Sequence, residues 1–211
     1  MIRIFISEQI PLSKEEFNRQ VAALPFGYAE KERLLKIKNE SAARASLSAY
    51  VALSKLTDGK DSLKILRSTN GKPYFEAHRD LPFSISHSSQ LSVAAVGDAL
   101  CGSIGIDIEF VRKDFDFEKL SKRFFTDSDR QKINGIDDFT VLWTLKEAYS
   151  KMLGGKLCEN LARETIDINR QTFKAEYNGQ TAYLTLSAEK AFGDNETKIF
   201  SSCQEIIIKK I

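Results

Sequence analysis

Signals for strands and helices run through this chain twice in the same order, and that repetition most limits what it can fold into. Ile2–Ile6 reads as a strand, and Ser13 with Glu16 three residues on makes a capping-box pattern for a short helix. A helical region rich in Ala, Leu, Lys and Glu runs from Tyr28 to Leu56 and stops at Thr57-Asp58-Gly59. Strands are expected at Leu63–Leu66 and Pro73–Phe75, around the turn signal Asn70-Gly71, and the apolar Leu91–Val96 reads as a buried strand. The order then restarts. Ser103–Phe110 reads as a strand, and helical segments follow at Phe117–Arg123, Asp127–Ile133 and Asp138–Leu153, the last stopped by Gly154-Gly155. Strands return at Thr165–Ile168, Thr172–Tyr177, Ala182–Leu186, Ile199–Ser202 and Glu205–Ile208, with the hairpin signal Asn178-Gly179 between two of them. The expectation is an α+β protein of two similar halves, residues 1–102 and 103–211, packed together because no Pro- or Ser-rich linker separates them.

Two short stretches carry the chemistry. In Gly105-Ile106-Asp107-Ile108-Glu109, period two places both carboxylates on one face of a strand and both isoleucines on the other. In Trp143-Thr144-Leu145-Lys146-Glu147-Ala148-Tyr149-Ser150-Lys151, Glu147 and Lys151 are four apart and share a helix face. Either pattern alone is common on solvated surfaces. Together they offer three carboxylates and two lysines, and hard oxygen ligands of this kind suit Mg²⁺ held beside substrate phosphates. Leu142, Trp143, Leu145, Tyr149 and Met152 have helical spacing and read as core.

Composition narrows the partners. The net charge of +2 is too balanced for a generic nucleic-acid binder, so phosphate affinity must be local. No run reaches the length of a membrane span, and Met1–Ile6 is too short for a signal-peptide core. The three cysteines, Cys101, Cys158 and Cys203, form no Cys-x-x-Cys and suggest reduced thiols in a cytoplasmic protein. With two histidines, His78 and His87, a His-rich zinc site is not expected.

A third stretch, Phe83-Ser84-Ile85-Ser86-His87-Ser88, lies just before the buried strand and can offer hydroxyls and an imidazole to a phosphate; upstream, Asn70-Gly71 presents Lys72 beside a tight turn. Alone, each has an ordinary structural explanation as a loop or turn. In order, however, the chain gives Gly71-Lys72-Pro73, Ile85-Ser86-His87-Ser88, Gly105–Glu109 and Trp143–Lys151. This series resembles the 4′-phosphopantetheinyl transferases of the Sfp type. Phe124-Phe125-Thr126-Asp127 also resembles the family's Phe-Phe-x-x-x-Glu region, with Asp129 a loose substitute for its acid.

The resemblance implies two α/β halves about a pseudo-twofold axis, with coenzyme A and Mg²⁺ in the cleft between them. It implies transfer of the phosphopantetheine arm of coenzyme A to a serine of an apo acyl or peptidyl carrier protein, releasing adenosine 3′,5′-bisphosphate. Asp107, Glu109 and Glu147 match the metal-binding carboxylates, Glu109 either directly or through a water, and Glu147 also matches the base proposed for the carrier serine, unless a metal-bound water serves instead. Lys151 matches the lysine that reaches the attacked phosphate. Ser86 and His87 match phosphate contacts, Lys72 a lysine near the adenine, and Arg44 and Lys31 basic residues at the 3′-phosphate. A third basic position of the family falls near Tyr28, a departure at the N-terminal side of the site. Lys146, about 100° around the helix from Glu147, either joins the phosphates or is solvated. Phe115 and Phe117 sit where the family receives its carrier. The implied protein is a monomer, with no nucleic acid or membrane partner. The alternatives are a coenzyme A-binding protein without transfer activity and a structural carrier-binding module; the three carboxylates together with Lys151 favour the transferase.

Overall fold

A computed structural model describes residues 1–57, 63–154, 160–163, 168–190, 192 and 197–211. The chain starts with β1 (Ile2–Glu8), whose Ile2, Ile4 and Ile6 alternate inward. Next is α1 (Lys14–Ala23), closed at its N-terminus by the expected box: the Ser13 side chain accepts from the Glu16 amide, and the Glu16 carboxylate accepts from the Ser13 amide. The single helix expected over 28–56 is two helices, α2 (Tyr28–Leu35) and α3 (Glu40–Leu56). The break has a local cause: the Asn39 side chain accepts from the Ala42 amide and begins a new helix, as Asn favours at this position.

Short β2 (Ile65–Arg67) and β3 (Pro73–Phe75) pair across the Asn70-Gly71 turn, where Gly71 has φ 81°. β4 (Phe83–Ser88) and β5 (Leu91–Val96) form a hairpin. The expectation that 83–88 merely precedes a strand is therefore corrected: the stretch is a strand, and its Ser84-x-Ser86-x-Ser88 alternation marks one polar face. The second half begins with β6 (Ile104–Phe110), followed by α4 (Phe117–Phe124), α5 (Asp127–Arg130) and α6 (Ile136–Leu153). α5 is one turn and stops short of the expected Ile133. β7 (Arg170–Tyr177) and β8 (Gln180–Ala188) form a hairpin through Asn178 (φ 49°) and Gly179 (φ 71°), the two positive values such tight turns require. β9 (Thr197–Ser201) and β10 (Ile206–Lys210) complete the chain. The strand expected at Thr165–Ile168 falls on residues 165–167, outside the described residues, and on Ile168, which has no regular structure.

The strands make two four-stranded sheets, β4-β5-β1-β9 and β10-β7-β8-β6. In each, the opening strand pairs antiparallel with the second strand of the following hairpin: β1 with β5, β6 with β8. One strand crosses the seam at 102/103, since β9 pairs parallel with β1. The sheets face each other across an apolar layer built from Ile4, Ile6, Val93, Ile106, Ile108, Leu184 and Leu186, among others. Burying each such side chain stabilises the fold by about 1.5–3 kcal/mol. α3 packs on the other face of the first sheet over Leu47, Tyr50 and Leu53. α6 packs on β6 and β8, and an aromatic cluster containing Phe125, Phe139 and Trp143 holds α4 and α6 together.

The sheets also meet edge to edge, because β4 runs alongside β6. Side chains bridge this edge. Ser84 Oγ accepts the amide of Ile106 at 3.1 Å, and Ser88 Oγ accepts that of Phe110 at 3.4 Å.

Candidate active site

The strand and helix motifs converge because α6 lies almost in contact with the backbone of β6. A Cβ on Gly105 would lie 1.9 Å from the Ala148 carbonyl oxygen and 2.5 Å from the Met152 nitrogen, so only glycine permits this approach. One turn of α6 therefore presents Glu147 and Lys151 to Asp107 and Glu109. The period-two reading of β6 holds: Ile106 and Ile108 enter the apolar layer between the sheets, while Asp107 and Glu109 turn to the cleft.

Lys151 Nζ lies 2.6 Å from Asp107 Oδ1 and 4.0 Å from Glu147 Oε2, and donates to Ser86 Oγ at 2.7 Å. Ser86 Oγ in turn donates to Asp107 Oδ1 at 2.6 Å. Ser88 donates to Glu109 Oε2 at 2.7 Å. Asp107, Glu109 and Glu147 each offer an oxygen, and the three oxygens lie within 4.8 Å of one another. The opposite oxygen of Asp107, Oδ2, is buried with no hydrogen-bond partner.

The electrostatics follow from this crowding. Burial, then the charge of Asp107, pushes the Glu147 carboxyl up to about 7, with Lys151 pulling the other way. Burial also raises Glu109, opposed by the Ser88 hydrogen bond. Three acids facing one ammonium leave an excess of negative charge in hard oxygen atoms, and Asp107 Oδ2 lacks any proton donor. These residues fit a small divalent cation such as Mg²⁺.

They form one end of a cleft of about 520 Å³ whose other wall comes from the first half, including His87, Ser86, Lys72, Arg33 and Arg67. His87 thus shares the cleft with Asp107 and Glu147. Desolvation and the Lys151 ammonium hold its imidazole below its ordinary value. Lys72 lines the cleft, but its ammonium reaches across the seam. It donates to Ser103 Oγ, to the Ile104 carbonyl at 3.0 Å and to the Met152 carbonyl at the end of α6. Burial lowers it to about 8.

Of the residues expected at the site, Lys146 lies elsewhere, and Lys31 and Arg44 do not line the cleft. Lys146 is 1% exposed and turned away from the cleft, 2.7 Å from Asp129 Oδ2, and it donates to the carbonyls of Leu161 and Arg163. The loose match at Asp129 is the buried partner of Lys146. Lys31 donates to the Ala22 carbonyl, and Arg44 lies 3.6 Å from Glu40; neither is among the residues lining the cleft. Arg33 and Arg67, not singled out from the sequence, line this wall of the cleft. Both bind the buried Glu30 carboxylate, Arg33 at 2.7 Å and Arg67 at 3.1 Å, and Tyr50 donates to the same carboxylate at 2.8 Å. The one available signal was the Glu30/Arg33 spacing on α2.

Beside Glu109 and Glu147 a smaller pocket of about 150 Å³ opens between Phe110, Phe115, Phe139 and Trp143.

A cleft that pairs a cluster of three carboxylates with a basic wall agrees with the similarities of the sequence. The profile of the 4′-phosphopantetheinyl transferase superfamily matches residues 103–203, the stretch that holds Asp107, Glu109, Glu147 and Lys151. The 4′-phosphopantetheinyl transferase of Bacillus subtilis is 32% identical over 154 residues, 68% of this chain and 66% of that protein. This chain belongs to the 4′-phosphopantetheinyl transferase superfamily. 4′-Phosphopantetheinyl transferase HetI of Nostoc sp. is 37% identical over 95 residues, 41% of this chain and 39% of its own. The Homo sapiens L-aminoadipate-semialdehyde dehydrogenase-phosphopantetheinyl transferase is 26% identical over 196 residues, 81% of this chain and 62% of its own. The chain thus spans from about two fifths to about two thirds of the length of these superfamily members. His87, Lys72, Arg33 and Arg67, on the opposite wall, lie before the matched superfamily stretch.

Proposed function

We propose that the chain is a phosphopantetheinyl transferase that moves the phosphopantetheine arm of coenzyme A onto a serine of an apo acyl or peptidyl carrier protein. The observation that carries this reading is the meeting of Asp107, Glu109, Glu147 and Lys151 at one end of a cleft with a basic opposite wall. Asp107, Glu109 and Glu147 would hold Mg²⁺, which supplies charge stabilisation to the diphosphate when bound. Lys151 and His87 bind phosphate oxygens, and Lys151 stabilises the negative charge that grows on the oxygens of the attacked phosphate. Arg33 and Arg67 attract the more remote 3′-phosphate, and Arg44 and Lys31 lie outside this wall. Glu147, or a water held beside it, takes the proton of the carrier serine. The serine oxygen forms a bond to the pantetheine-bearing phosphorus. The bond from that phosphorus to the bridging oxygen breaks, and adenosine 3′,5′-bisphosphate leaves with the electron pair. The aromatic pocket beside Glu109 and Glu147 is the side from which the carrier approaches.

The two halves act as one pseudo-twofold unit, a reading supported by the matching connectivity of β1-β5-β4 and β6-β8-β7 with α3 and α6 packed on them. Both walls of the cleft come from one chain, which supports a monomer. The free Cys101 and Cys203 suit a reducing, cytoplasmic setting, whereas Cys158 lies outside the described residues. Among the described residues, no helix is long and apolar enough to cross a membrane. The test mixes the protein with coenzyme A, Mg²⁺ and apo-carriers of several classes and weighs each carrier. Gain of one phosphopantetheine arm on a serine is expected. Binding of coenzyme A with no mass gain on any carrier would overturn the transferase reading in favour of a binding protein.

A further inference from the structure

We propose that Ser88 is a positioning residue that holds Glu109 as a direct ligand of the divalent cation. The inference rests on the metal reading above and adds a residue to it. The Ser88 hydroxyl is fixed from both sides. Its oxygen accepts the amide of Phe110 at 3.4 Å, and its single proton goes to Glu109 Oε2 at 2.7 Å. β4 thereby claims one oxygen of the carboxylate and leaves the other for the cation. Ser86, two residues earlier on the same strand, does the same for Asp107. It accepts from the Lys151 ammonium and donates to Oδ1, and Oδ2 remains buried without a partner. Two serines of one strand thus set two carboxylates of the neighbouring strand at the same spacing. Without Ser88, the Glu109 side chain is free to turn along the cleft wall, and a water would take its place on the cation. Outer hydrogen bonds of this type commonly change metal affinity 10–100-fold.

The experiment measures Mn²⁺ alone, by electron paramagnetic resonance titration, on the intact chain without coenzyme A or carrier. Ser88→Ala is expected to bind Mn²⁺ about tenfold more weakly. Ser88→Thr, which keeps the hydroxyl, is expected to retain most of the affinity. In a Glu109→Gln background, Ser88→Ala is expected to cause no further loss, because the serine acts through that carboxylate. The melting temperature without metal reports any change from the lost Phe110 contact separately. Unchanged Mn²⁺ affinity in Ser88→Ala overturns the proposal. So does a further loss in the Glu109→Gln background, which would mark a general loosening of the β4–β6 edge. A parent protein that binds no Mn²⁺ removes the metal reading itself, and this inference with it.

Discussion

Glu147 shows how much neighbours decide a residue's chemistry. In the sequence it is one of many glutamates four before a lysine. In the fold it is partly buried beside Asp107 and Glu109, and its carboxyl is pushed up to about 7 from an ordinary 4.5. Between those values the folded, cation-free protein holds a proton that the unfolded chain releases. The stability linked to Glu147 is therefore complete below about pH 4.5 and is lost as pH rises through about 7. The expected outcome is a melting temperature that falls more steeply over this window in the cation-free parent than in Glu147→Gln, with Mg²⁺ restoring the parent at the upper end. Equal slopes in both proteins would show that another group titrates. Legibility at this scale was uneven. Asp107, Glu109 and Lys151 could be placed because strand and helix periods fix which residues share a face. Lys146 could not, because 100° of helix rotation says nothing about Asp129 waiting on α5. Its buried pair is one whose breaking, by removal of one partner, costs about 3–5 kcal/mol. Likewise Lys31 and Arg33 are equally basic in sequence, but they stand about 200° apart on α2, so Arg33 meets Tyr50 and the cleft while Lys31 turns to the Ala22 carbonyl.

Elements were easier to place than contacts. β3, β5 and the α1 cap emerged as expected, because alternation, turn residues and capping are local. The misread elements depended on competition. Asn39 splits a stretch of good helix formers, and the polar serines of β4 hid a strand that pairs with β5 and lies beside β6 across the seam. The packing of α6 on β6 is the decisive contact between elements, and Gly105 controls it. Gly105→Ala places a methyl group where the Ala148 carbonyl sits. The expected cost is about 3 kcal/mol, the upper end for overpacking, read by chemical denaturation, with weakened Mn²⁺ binding because Glu147 shifts away from Asp107. A variant as stable as the parent, with intact metal binding, would mean that α6 adjusts freely over the strand.

For the molecule as a whole, the two-part order of elements was legible, but the exchange between the parts was not. Long-range pairing such as β1 with β9 leaves no local trace. The same is true of Lys72, which reads as a turn residue and ties the loop before β3 to the start of β6 and the end of α6. Lys72→Met keeps the apolar stem and removes every donor. It should cost about 1–3 kcal/mol and speed amide exchange at the end of α6 and the start of β6, while exchange within β7 and β10 stays slow. Unchanged exchange at those two sites would show that the seam is held by other contacts.

The parallel pairing of β1 with β9 also has a consequence for synthesis. β1 leaves the ribosome far ahead of its partner, and at the usual pace of translation the interval is roughly 10–40 s. Through that interval one side of β1 has bare amides and carbonyls, the kind of edge that invites pairing with foreign strands. A nascent chain of this design depends on chaperone shelter, or on slow docking after release, to reach its native state, and slower translation between residues 110 and 197 would lengthen the time at risk.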